Sequence, residues 1–442
     1  MTGLSLLNIP PTSAAMDSIW CDETFLNASL EIERSWVMAA IAEGFAPDSL
    51  EAELDAAIER VKANPAPIFA GTLSAGRPVA PLVDELLENA SQELQQVLHL
   101  GLTTQDIIDG ALTLLRGHAI RVILADAEKC RANLQDLAAR HSTTVMLGRT
   151  NLQAASPITF GLFVAEGCGE LQRNCDRIRQ RHTAAQTVTL SGAVGLSAPF
   201  AEKSDAVRHR AAADLGLSYD PKMRSAPRDH IIDLLFAVGL LAKGLGRMAR
   251  SISHLQSDAT GELAETRSGG SSAMPHKQNP RLAERIIMLS GQVDGILLNL
   301  MNATQTLHQR SGDSWMAEWV GMAAMFQCVH AQILSFLTLT ETLVVEQQRM
   351  RDNLNHHGLA VLSDRLFTAL SAAVGRHQAK PIVKAALAER ISIDRLIAFL
   401  EHHVSPQQAR TIAAACSLEA IIESAQNQQA CMIEDLEAAA LG

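Results

Sequence analysis

Aromatic residues are scarce in this 442-residue chain, at 4% with a single tyrosine. The apolar bulk, within a hydrophobic fraction of 47%, is Leu, Ile, Val, Ala and Met, a composition that favours helices over strands. A basic excess is missing too. The formal charge of -11 lacks the positive surface with which a duplex-binding protein meets phosphates, so no nucleic-acid partner is expected. A small anionic substrate held by a few local Arg and Lys is compatible with it. The cysteines at 21, 130, 168, 175, 328, 416 and 431 contain no C-x-x-C pair, the usage of a reducing compartment, with most of them serving as core packing. The opening residues MTGLSLLNIPPTSAAMDS lack a basic stretch and are cut by a Pro pair, so no secretory signal is read there. The most apolar run, Ile231 to Leu245, is too short to span a bilayer and carries Asp233 and Lys243. A cytoplasmic protein without a membrane partner is expected.

What is abundant is helical periodicity. Ile231, Leu234, Val238, Leu241, Leu245, Met248, Ile252 and Leu255 recur at alternating spacings of three and four, the seam of a long helix in a bundle. A weaker stripe runs from Ala111 to Arg140 through Leu112, Leu115, Ala119, Val122, Leu134 and Leu137. Leu282 to Asn302 and Met322 to Leu343 are further long candidates. Long helices need long partners, and faces of this length are commonly completed by other subunits. The fold class is all-α, with three helical parts: an N-terminal domain over 1–110, a central long-helix bundle over 111–352 and a small C-terminal domain over 353–442.

Gly269 to Pro280 reads GGSSAMPHKQNP. Asn is a favoured N-cap and Pro a favoured first helical residue, so Asn279-Pro280 predicts a helix start. The glycine-rich segment then ends at the positive end of a helix dipole, with Lys277 adding a full charge, where an anion or a serine alkoxide is stabilised. Serine acts as a base only if such donors lower its pKa in a closed site. A phosphate-binding loop needs Ser or Thr after the Lys, and Gln278 stands there. A Ser-x-x-Lys acylase needs a spacing of three, whereas Ser271 and Lys277 are six apart. On these grounds alone a flexible linker stays open.

GSSAMPHKQNP resembles the GSSxMPxKxNP signature of the fumarase/aspartase superfamily. HLGLTTQD, His99 to Asp106, resembles the first block of that family, HxGxTSxD, with Thr104 in place of the usual Ser. GRTNLQAASP, Gly148 to Pro157, resembles its second, GRTHxQxAxP. The resemblance covers most of the chain. It implies an all-α homotetramer around a long helix bundle, active sites each assembled from several chains, a small di- or tricarboxylate substrate, and no metal or organic cofactor. It further implies that Ser271 is the catalytic base or, in reverse, a proton donor to carbon. Lys277 and Asn279 would hold a substrate carboxylate so that the carbanion formed beside it can spread as an aci-carboxylate. Thr103 and Thr104 would hold a carboxylate, and His99, Arg149, Thr150, Asn151, Gln153, Ser272 and Met274 would contact the substrate.

Within the superfamily, HQRSGDSWMAEW, His308 to Trp319, resembles the H-E-R-S-x3-W-x-A-E-W stretch of the bacterial carboxymuconate lactonizing enzymes. That resemblance makes His308 a catalytic candidate and Arg310 an extra bidentate carboxylate clamp. Arg228 in PRDHIIDLL matches an arginine of the same relatives. The implied reaction is cycloisomerisation of 3-carboxy-cis,cis-muconate to 4-carboxymuconolactone: a carboxylate oxygen adds to a double bond while the neighbouring carbon takes a proton from the Ser271 region. One departure stands out. Other members carry a histidine where Asn151 stands, or just after the Gln, where Ala154 stands, and here both are absent. General-acid help is typically worth about a hundredfold to ten-thousandfold. His99, His276 and His308 are the candidates to supply it. The alternative activity is a superfamily elimination releasing an amine, ammonium, nitrite or nucleotide group from a succinyl compound to give fumarate. A helical scaffold without activity is a third reading, opposed by the intact Ser271, Lys277 and Asn279.

Overall fold

The computed structural model describes residues 13–222, 225–266, 269–270, 274 and 277–440. Helices dominate, and the strands are short antiparallel or parallel pairs. The chain divides into two compact units. The first takes residues up to Ala125, Cys175–Ala242 and Leu289–Ala331. The second takes Asp126–Asn174, Lys243–Met288 and the chain from Gln332 onward. Five long helices contribute residues to both: Thr104–Arg140, Phe160–Ala185, Asp229–Leu255, Arg281–Asn302 and Gly312–Thr342.

The predicted seam of the Asp229–Leu255 helix is a buried stripe: all eight residues from Ile231 to Leu255 named above are under 9% exposed. At 1.5 Å per residue this helix is about 40 Å long. In the Thr104–Arg140 helix, Leu112, Leu115, Ala119, Leu134 and Leu137 are likewise buried, while Val122 is half-buried and its neighbour Ile123 takes the interior position. The first unit also holds an N-terminal core in which Leu30, Val37, Leu54, Leu82, Leu86 and Leu94 pack together. In the second unit a separate apolar cluster gathers Leu359, Leu366, Leu370, Leu396, Leu400, Ile412 and Ile421.

Two expectations are corrected. The helix predicted from Met322 begins ten residues earlier, at Gly312, and the whole of Gly312–Thr342 is apolar and long enough to cross a membrane by composition alone. Ile231 to Leu245 is therefore not the chain's most membrane-like stretch. Two thirds of the most apolar window of the longer helix, 67%, is buried inside the protein, as expected of a core helix. The second correction concerns the start of the Arg281–Asn302 helix. The Glu284 amide donates to the Pro280 carbonyl at 2.8 Å, so Pro280 occupies the capping position and Asn279 lies outside the helix, paired with Gly269 in a short antiparallel bridge.

Candidate active site

The first block surrounds the start of the Thr104–Arg140 helix. Asp106, in its first turn, is buried and accepts four hydrogen bonds. Its Oδ2 takes the amides of Thr103 at 3.0 Å and Gly192 at 2.9 Å; its Oδ1 takes the Ser191 amide and the Thr189 hydroxyl, both at 3.1 Å. Burial pushes its pKa up to about 6 against the pull of those donors. The carboxylate thus ties the turn before the helix to the 189–192 segment. Gly192 sits at φ 76°, where a Cβ would lie 2.7 Å from the Gly101 carbonyl oxygen, so only glycine fits. His99, also at positive φ (55°), places Nδ1 2.6 Å from Oε1 of the fully buried Glu33. Burial alone would lower the pKa of His99, but the hydrogen bond and charge of Glu33, with Asp106 nearby, hold it above the ordinary value. The pair with Glu33 thereby favours the imidazolium form.

Arg310 reaches this block. Its Nε donates to Gln105 Oε1 at 2.7 Å, Nη1 to the Thr103 hydroxyl at 3.4 Å and Nη2 to the Ala193 carbonyl at 3.4 Å. None of these acceptors carries a charge. Arg228 behaves differently. It is buried and forked onto Glu318, Nε to Oε2 at 2.8 Å and Nη2 to Oε1 at 2.5 Å, with Nη1 on Asp109 at 2.8 Å. Burial opposes its charge, yet Asp109 and Glu318 together raise its pKa above the ordinary value. Asp109 also accepts the Trp315 indole N–H at 2.8 Å, which fixes that ring. These bonds leave Arg228 supporting the network. His308 lies exposed in the preceding turn at φ 55° and makes no hydrogen bond to a described residue.

The second block is a hairpin. β1 (Val145–Thr150) and β2 (Gln153–Thr159) pair antiparallel with Thr150 opposite Gln153. The two residues between them, Asn151 at φ 51° and Leu152 at φ 63°, form the doubly left-handed turn that a tight hairpin demands. Asn is one of the few side chains that accept this conformation readily. Gly148 occupies the bulge in β1, where a Cβ would fall 2.3 Å from the Ser156 carbonyl oxygen. Thr150, Asn151 and Gln153 are exposed. Arg149 is bound bidentately by the buried Glu262, at 2.9 and 2.6 Å, and Asn353 donates to the same carboxylate at 2.7 Å. Its fork is spent inside the protein. A cavity of about 590 Å³ beside the hairpin is lined by Asn151, Leu152, Glu166, Arg250 and His254, among others.

In the signature segment the Gly269–Gly270 and Gln278–Asn279 bridge is described, as are Lys277 and Met274, both exposed. Asn279 is half-buried. Ser271, Ser272 and His276 lie outside the described residues. The positive end of the Arg281–Asn302 helix is already occupied. Glu265, buried, accepts the amides of Leu282 at 2.9 Å and Ala283 at 3.1 Å and is held by Gln256 at 3.1 Å. The helix-dipole site predicted for a substrate anion is filled by a side chain of the chain itself.

Sequence reasoning missed Glu33, Gln105, Glu262 and Glu265, which orient the block residues, and His254 and Arg250, which line the hairpin cavity. Only the seam spacing of the Asp229–Leu255 helix pointed near the last two. Among the described residues no group of three or more His, Cys, Asp or Glu side chains is placed to hold a metal ion.

A family model described as Lyase matches residues 11–295. 3-Carboxy-cis,cis-muconate cycloisomerase of Pseudomonas aeruginosa is 31% identical over 379 residues, 84% of this chain and 82% of that one. Nitrosuccinate lyase of Streptomyces davaonensis is 31% identical over 388 residues, 85% and 81% of the two chains. The crystal structure of 3-carboxy-cis,cis-muconate lactonizing enzyme from Pseudomonas putida superposes with a TM-score of 0.81 at 27% identity, over 97% of this chain and 100% of that one. The chain belongs to the fumarase/aspartase superfamily and is an enzyme of its cycloisomerase and lyase type.

Proposed function

We propose that this enzyme cycloisomerises 3-carboxy-cis,cis-muconate. The observation that carries the reading is Arg310, a fork anchored on Gln105 and Thr103 of the first block with no carboxylate of its own among the described residues. It suits a substrate with a carboxylate beyond the two that the superfamily's common chemistry uses. Ser271 delivers or removes the proton on carbon, Lys277 and Asn279 hold the carboxylate beside that carbon, and Thr103 and Thr104 hold another. Met274, Ser272, Thr150, Asn151 and Gln153 shape the pocket. Arg149 and Arg228 act from behind, through the positions of Glu262, Glu318 and Asp109. His99 is the acid that replaces the missing second-block histidine, and His308 is a second donor near Arg310.

The working form is proposed to be a cytoplasmic homotetramer with active sites each assembled from several chains. Phe236 and Leu240, four residues apart on one helix, and Leu298 and Met301 on another are between 37% and 64% exposed in the single chain. Apolar faces of that kind support burial against further copies. Light scattering on the purified protein tests the assembly.

A second reading is favoured by Asn151. A leaving group that needs no acid, such as ammonium, a substituted amine or nitrite, fits a hairpin tip without histidine, and the identity to nitrosuccinate lyase equals that to the cycloisomerase. An ultraviolet assay decides. Loss of 3-carboxy-cis,cis-muconate at enzymatic rates, abolished by Ser271→Ala with the melting temperature unchanged, supports the first reading. Fumarate from a succinyl compound with the muconate untouched supports the second.

A further inference from the structure

We infer that Arg77 grips a carboxylate of the substrate and, with Arg310, sets a preference for tricarboxylates; this rests on the substrate class proposed above.

Arg77 stands in the turn between the helices Ala66–Ala75 and Val79–Leu87. Gly76 before it closes the first helix at φ 70°, and Pro78 follows, so the backbone that carries it is stiff. Its guanidinium lies 5.4 Å from the Trp315 ring centre and 5.3 Å from that of Trp319. The two indoles meet edge to face at 4.6 Å, and the Trp315 indole is pinned by Asp109. The guanidinium is therefore held within cation–π range of both rings.

A cation–π contact supplies no counter-ion and consumes none of the fork's capacity to bind one. Among the described residues its N–H groups find uncharged acceptors, the Gly76 carbonyl at 3.2 Å and the Met316 sulfur at 3.2 Å. No carboxylate among the described residues pairs with it. Arg310 lies 5.8 Å from the centre of the same Trp315 ring and is equally without an acid among the described residues. The N-terminus of the Gly312–Thr342 helix adds a third positive element, since a Cβ on Gly312 would lie 3.2 Å from Arg77 Nη2. Its own first-turn acid, Asp313, is engaged by the Ser314 amide and the Ser311 hydroxyl.

Two forks and a helix terminus gathered around one indole repel one another until an anion joins them. Each fork matches the planar pair of oxygens of a carboxylate. The cluster is thus shaped for carboxylates in excess of the one that Arg310 alone would take, and Arg77 decides whether a ligand with three is preferred to one with two.

The test is calorimetric titration of the full-length protein with tricarballylate and with succinate, which differ in one carboxylate. Wild-type protein is expected to bind tricarballylate about tenfold or more tightly than succinate. In Arg77→Gln the ratio falls to within about twofold, chiefly through tricarballylate, and Arg77→Lys, which keeps a cation over the indoles without the fork, lies between. A ratio unchanged in Arg77→Gln, with or without a lower melting temperature, would make Arg77 a structural stacking residue and overturn the inference. So would a wild-type protein indifferent to the third carboxylate. Turnover separates this outcome from the reaction assignment. Protein inactive on carboxymuconate that keeps an Arg77-dependent preference loses only the reaction; active protein whose preference survives Arg77→Gln loses only the Arg77 role.

Discussion

Nδ1 of His99 lies 2.6 Å from Oε1 of Glu33, and the other oxygen of that buried carboxylate has no hydrogen-bond partner among the described residues. Glu33 therefore directs its charge at one imidazole, which stays protonated above the usual histidine range. Because the folded pKa is raised, the stabilising effect of the pair is fully present below the ordinary histidine pKa. It is lost as pH rises through the raised value.

Glu33→Gln removes the charge but keeps the shape. Burial is then opposed only by the charge of Asp106, and the His99 pKa falls from its raised value. A histidine-resolved NMR titration reads this directly, and the basic limb of the pH–rate profile should move the same way. An unmoved titration would exclude Glu33 as the positioning residue for this acid.

Glu265 offers a stability test in the signature segment. Its two oxygens cap the Leu282 and Ala283 amides, and a lost N-terminal cap costs about 1–2 kcal/mol. Glu265→Ala should lower stability by that amount in denaturant unfolding, and Glu265→Gln, which keeps one acceptor, by less. Equal stability of all three proteins would mean that the amides find other partners.

How far the sequence disclosed the molecule depends on the range of the interaction. The Ile231 to Leu255 seam was legible because burial along a helix repeats with the helix period, so a local pattern reports a global fact. The Asn279-Pro280 start was legible only to within a residue, since the group that caps the helix, Glu265, comes from before the loop and no local rule contains it. Arg149 and Arg228 matched family motifs, but their acids, Glu262 and Glu318, lie 113 and 90 residues away. A motif records which residue is present and not which partner has claimed it. Asn151 is the converse case. It read as a missing histidine, while the hairpin shows an immediate conformational reason for an asparagine.

Arg228 joins the half-buried Asp109 and the buried Glu318, so removing it leaves two carboxylates without their cation. Breaking such a pair from one side typically costs about 3–5 kcal/mol. Arg228→Met should lose stability on that scale in urea unfolding. A loss of substrate affinity with unfolding unchanged would instead return Arg228 to the substrate.

Asn151→His separates the two chemical readings. The position is exposed and left-handed, and histidine tolerates that backbone nearly as well as asparagine. The substitution should therefore cost no more than about 0.5 kcal/mol, the usual range for surface changes. If the site lacks an acid, turnover of carboxymuconate rises, up to about a hundredfold. If His99 already serves, the rate stays flat while the rate of Glu33→Gln falls, and the double variant Glu33→Gln with Asn151→His recovers part of the loss. A double variant no faster than Glu33→Gln alone would show that a histidine at the hairpin tip does not reach the leaving oxygen, and the absence of one there would then say nothing about the reaction.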